Sequence, residues 1–106
     1  MSFINLTPHA ITVVSPNGET VSIAPSGQVA RCTMANTPAG VFDGIFLNRT
    51  TYGSVEGLPS PVEGVMLVVS GLVRAACPDR LDLASPGDLV RSPEGAVVGC
   101  RGLVVN

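Results

Sequence analysis

Three groups of residues in this chain are of a type that does chemistry. The first is its cations. All six are arginines (Arg31, Arg49, Arg74, Arg80, Arg91 and Arg101), and there is no lysine. A guanidinium presents a planar fork of donors that fits a phosphate or a carboxylate two bonds at a time. Without lysine there is no Schiff base, no lysine nucleophile and no Walker-type phosphate loop. A GC-rich coding sequence gives the same composition with no function attached. The second group is His9, the one side chain whose ordinary pKa lies near neutrality. It is a candidate general base or phosphate contact. A turn histidine bonded to a backbone carbonyl is the plainer reading. The third is Ser70-Gly71, which follows an apolar run and opens a short helix. Backbone N–H groups there favour an anion, and Gly71 lets a ligand approach; an ordinary N-cap and packing glycine need no ligand.

Tyr52, the sole tyrosine, is a candidate for stacking on a base or for packing under a loop. The carboxylates are scattered, and Asp79 and Asp82 flank Arg80 as a local ion-pair cluster. No carboxylate set has metal-ligand spacing. Cys32, Cys77 and Cys100 are too widely spaced for a zinc site with one histidine, and read as free thiols of a reducing compartment. No metal and no cofactor are expected. Ser70 lacks triad partners and a nucleophile elbow.

These residues must be positioned by strands. Sixteen valines favour sheet over helix. Residues 10–14 and 20–23 read as a β-hairpin across Pro16-Asn17-Gly18. Residues 28–34 read as a third strand, 35–40 as a loop, 41–47 as a fourth strand, and 48–63 as irregular. The apolar run 65–69 reads as a central strand. A short helix follows, with Leu72, Val73, Ala76 and Cys77 on one face and Arg74 pointing away; Pro78 ends it. Residues 88–91 and 96–103 read as a second hairpin across Ser92-Pro93-Glu94-Gly95. The expected fold is a single β-dominated α+β domain over residues 1–106, with about seven mostly antiparallel strands and one short helix after a central strand.

Composition narrows the partners. Charged residues are 13% of the chain, about half the usual share. So little charge on so small a domain points to a surface partly hidden in a homo-oligomer. The net charge of −2 and four aromatics argue against a nucleic-acid polymer. No run is long enough to span a bilayer, and the first residues lack the regions of a signal peptide, so a cytoplasmic location is expected and a membrane partner is not.

Asn5-Leu6-Thr7-Pro8-His9-Ala10-Ile11, Tyr52-Gly53, Gly57-Leu58-Pro59, Val68-Val69-Ser70, Leu89-Val90-Arg91 and Gly99-Cys100-Arg101-Gly102-Leu103 together resemble a family of small proteins encoded by tailed phages and prophages. The resemblance spans nearly the whole chain. It implies an accessory protein at work in the infected bacterial cell. The leading expectation is a non-enzymatic protein that sequesters a phosphate-bearing small molecule, such as a nucleotide immune signal, in pockets between subunits. Arg101 and Arg31 would clamp phosphate, with Arg74 or Arg80 from a neighbour; Tyr52 would stack, and Ser70 and His9 would add polar contacts. The alternatives are a nucleotide-cleaving enzyme with His9 as base, a virion decoration protein, and an inhibitor of a host enzyme.

Overall fold

The structure, a computed structural model, describes all residues 1–106. Its eight strands and one helix run β1 (Ser2–Asn5), β2 (Ile11–Val14), β3 (Thr20–Ile23), β4 (Arg31–Phe42), β5 (Ile45–Glu56), β6 (Val65–Val68), α1 (Gly71–Ala76), β7 (Leu83–Arg91) and β8 (Val97–Val105). The fold is β-dominated, with one short helix directly after the central strand β6. Six strands form one sheet in the order β1-β6-β7-β8-β2-β3; β4 and β5 pair only with each other. Most paired residues are antiparallel, but β1–β6, β6–β7 and β2–β8 are parallel. The β6–α1–β7 passage is the crossover that parallel pairing demands.

Both hairpins expected from turn chemistry form: β2 with β3, and β7 with β8 across residues 92–95. The helix also begins as its sequence indicates. Ser70 accepts a hydrogen bond from the Val73 amide, and Val73 is its fully buried residue.

The middle of the chain departs from the sequence reading. Residues 35–40 are strand rather than loop, 41–47 are not one strand, and 48–56 are ordered rather than irregular. The whole region is one long hairpin reversed at Asp43-Gly44, with φ of 50° and 76°. An Asp-Gly pair with both residues in the left-handed region gives the turn whose twist matches its flanking strands. Proline and glycine in the middle of β4 do not break it because the ribbon's edges face solvent, where a missing N–H costs no ladder bond. They are absorbed as a register shift between Pro38 and Gly40; a second shift lies between Cys32 and Met34.

Twelve-residue strands reach about 40 Å. This arm gives the chain its 50 Å long axis and a radius of gyration of 16.4 Å, against about 13 Å for a compact domain of this length. The arm has a polar shaft: Thr50 Oγ1 donates to Asn36 Oδ1 at 2.8 Å, and Thr51 Oγ1 to the Ala35 carbonyl at 3.1 Å. Its tip is apolar on both faces. Val41 faces across to Phe46 and Phe42 to Ile45, and all four are exposed.

The core lies at the arm's root. Leu6, Ala30, Leu67, Val69, Val73 and Leu83 cluster there, with Cys32, Val55 and Leu58 against them. Only 11 of 106 residues are buried. Asn5 is one of two polar members of that set, and it organises the entry to β2. Its amide nitrogen donates to the His9 carbonyl at 2.8 Å and to the Ile23 carbonyl at 2.9 Å; its oxygen accepts from the Thr7 amide at 2.9 Å and the Thr7 hydroxyl at 2.6 Å. The Asn-Leu-Thr-Pro-His motif is thus a hydrogen-bonded knot that ties β1 to the β2–β3 hairpin.

Truncating that buried amide unmakes four part-buried hydrogen bonds, each worth about 0.5–1.5 kcal/mol. Asn5→Ala is expected to lower the unfolding free energy by roughly 3 kcal/mol, read as an earlier urea midpoint with an unchanged slope. A loss under about 0.5 kcal/mol, the scale of an ordinary surface substitution, would refute the knot.

Candidate functional site

The residues singled out for ligand binding divide into two sets. Arg74 and Arg80 are built into the protein. Arg74 does not point away into solvent as the helical pattern suggests: its Nε donates to Ser85 Oγ at 2.8 Å and its Nη1 to Asn106 Oδ1 at 3.2 Å. Asn106 completes the arrangement, its amide nitrogen reaching the carbonyls of Arg74, Cys77 and Arg80 at 2.9–3.2 Å. The Arg74 and Cys77 carbonyls also accept the amides of Cys77 and Arg80, so Asn106 reinforces the turn that follows α1. Asn106 therefore ties the end of β8 to the turn after α1, a role the sequence reading missed because nothing local marks it.

Arg80 forms a two-pronged bond to Asp82, with Nε to Oδ1 at 2.9 Å and Nη2 to Oδ2 at 2.8 Å, and its Nη2 also donates to the Pro59 carbonyl at 2.8 Å. The fork holds the 57–63 loop against the start of β7. The hydrogen bond from Arg80 is the main cause that holds the Asp82 carboxyl below the usual carboxylate range, and the Arg80 guanidinium is raised in turn.

The second set is exposed. Arg31 opens β4 opposite Glu56, and Tyr52 stands on β5 opposite Met34. Neither side chain has a hydrogen-bond partner within the chain. The same holds for Arg49 on β5 and for the His9 ring, whose residue contributes only its carbonyl to the Asn5 knot. Arg101 on β8 meets Asp88 at 3.4 Å, with both side chains more than half exposed, so the pair is weak and open to competition. Ser70 is exposed and occupied as the N-cap of a six-residue helix.

No arginine lines either of the two main depressions of the surface. One, of 270 Å³, lies over the sheet among Ile11, Pro86, Leu89, Val97 and Val98. The other, of 680 Å³, runs beside the edge strand β1 and is lined mainly by Met1, Phe3, Val62, Val65, Met66 and Leu81. No group of three or more His, Cys, Asp or Glu residues could hold a metal ion. The three cysteines are free, with Cys100 buried and its thiol directed to the Thr12 carbonyl. No helix is long and apolar enough to cross a membrane.

The arrangement can offer cations and an aromatic ring from the arm, and apolar surface from the body. A cationic pocket is not closed within one copy. The sequence reading also missed the arm tip; its signal was the Asp43-Gly44 pair flanked by Val41-Phe42 and Ile45-Phe46. Comparison with protein-family models, curated proteins and solved structures gives no match.

The Arg80–Asp82 fork makes a pH prediction. A carboxyl whose folded pKa is depressed adds stability above its unfolded value, near 3.8, and that stability is lost as pH falls through the lower folded value. The unfolding free energy of the wild type should therefore fall more steeply below that unfolded value than that of Asp82→Asn. Denaturant titrations at a series of acid pH values check this, and parallel acid limbs for the two proteins would contradict it.

Proposed function

We propose that this chain is a non-enzymatic binding protein that works as an assembly of copies and captures a phosphate-bearing small molecule where the arm of one copy meets another. The observation that supports this reading is where the uncommitted groups sit. Arg31, Arg49 and Tyr52 ride on the projecting arm with their side chains free, whereas the depressions on the body are apolar. A phosphate site of good geometry needs more than one guanidinium, and here it needs a second surface. Arg101, held only by an exposed ion pair, is the body's cation most easily recruited.

Binding rather than catalysis is favoured because the His9 ring has no carboxylate or other group to orient it. A general base is normally held by such a partner. The resemblance to phage-encoded proteins gives the capture a purpose, the withdrawal of a nucleotide immune signal in an infected bacterium. A second reading, a particle-building or particle-decorating protein, is favoured by the apolar tip alone, since a rigid arm with an apolar head suits insertion into a neighbouring subunit.

Calorimetry against cyclic oligonucleotides and cyclic ADP-ribose isomers, at about 100 µM protein, the weakest affinity of functional interest, separates the two. Capture predicts saturable heat with at least one of them and recovery of the ligand intact. Arg31→Ala should weaken that binding by about tenfold or more, the scale of one charge-assisted hydrogen bond of about 1.5–3 kcal/mol. No heat with any of these ligands would leave the particle reading, which mass spectrometry of purified virions tests.

A further inference from the structure

We infer that the apolar tip of the β4–β5 arm docks in the groove beside β1 of a second copy of this chain. The first ground is surface area. The chain exposes 7138 Å², and a folded monomer of its mass is expected to expose roughly 5,500 Å². The excess, about 1,600 Å², is the area a standard protein interface removes from the two surfaces it joins. A copy that gives its arm to one neighbour and receives an arm in its groove would remove about that much.

The second ground is where the apolar surface lies. The shaft of the arm carries Asn36, Thr37, Asn48, Thr50 and Thr51, and water satisfies it. The tip does not fit that pattern. Phe42 is 74% exposed and Phe46 81%, on opposite faces of the ribbon, with Val41 and Ile45 beside them. A two-stranded ribbon with both faces apolar cannot bury either against itself, and each phenylalanine has about 150–250 Å² to remove from water. Two-sided burial calls for a cleft, and the groove beside β1, at 680 Å³, is larger than the 270 Å³ depression over the sheet. Its lining includes Phe3, Val62 and Leu81, all exposed.

Charge agrees with the pairing. The one ionisable side chain in the groove, Asp82, is already committed to Arg80, so a docked tip strands no unpaired carboxylate. Outside the contact, Arg49 next to the tip and Glu63 on the groove's rim are opposite charges, each without a partner in its own chain, and docking brings the two regions together. Groove and tip are different patches, so the contact is heterologous. Repeated head to tail it makes a ring where the rotation closes, and exchanged both ways it makes a two-fold pair.

The inference rests on reading the chain as an assembly of copies, but needs no ligand. Mass measured without ligand tests the contact; calorimetry tests capture. Light scattering after size exclusion at about 100 µM, in the range where weak specific contacts are populated, should give a multiple of 10.8 kDa for the wild type. The double variant Phe42→Asp/Phe46→Asp, altered only at an exposed turn, should run as a folded monomer, with its circular dichroism unchanged. Leu81→Asp in the groove should do the same. Mixing the two variants should restore a complex, because one still has a groove and the other still has a tip. A monomeric wild type, a tip variant of unchanged mass, or variants that stay monomeric when mixed would each overturn the inference.

Discussion

A ribbon of two strands has two faces and no interior. That constraint shapes this protein. Fully 24 of its residues, Arg31–Phe42 and Ile45–Glu56, are spent on such a ribbon, and only its root touches the core. Cys32 and Val55 pack there against the core cluster, and Gly57 takes a positive φ where a side chain would collide with the Val29 carbonyl. The remaining sheet must hold itself together with few buried residues. It does so with polar devices: the Asn5 knot at one end, the Asn106 tie at the other, and the Arg80–Asp82 fork across the loop between. The Asn106 contacts and the Arg80 bond to Pro59 join segments more than twenty residues apart.

The same constraint explains the composition. A 106-residue chain with 13% charged residues is poorly suited to a life surrounded by water. Its low charge is not spread evenly. The shaft of the arm mixes amides and hydroxyls with Arg49, Tyr52 and Met34, while the tip and the groove beside β1 are mainly hydrocarbon. Apolar residues that a compact domain would place in its core are exposed here at the arm tip, in the groove and along β8. The proposed assembly would cover part of that surface.

Much of the fold was legible in the sequence where local chemistry and period agree. Asn17-Gly18, Ser92-Pro93-Glu94-Gly95 and the Ser70 cap each mark their elements. The arm was not legible because two local signals opposed each other. Pro38 and Gly40 argue for a loop, and in a buried central strand they would have broken it. On a solvated ribbon they cost only a register shift, and Asp43-Gly44 governs the turn. The site was less legible still. Arginine type gives no information on whether a guanidinium is free: Arg74 and Arg80 are consumed by Ser85, Asn106, Asp82 and Pro59, partners set by tertiary structure. Asn5, the most heavily bonded side chain of the N-terminal motif, drew less notice than the exposed His9 beside it.

Hydrogen exchange of the arm's amides, followed as the ligand-free protein is diluted, addresses the central claim most directly. Coverage of the tip by another copy predicts that amides of Val41–Leu47 are protected at high concentration and lose that protection on dilution, while those of β6 and β7 remain slow throughout. Tip amides that exchange at open rates at every concentration, over a body that stays protected, would contradict it.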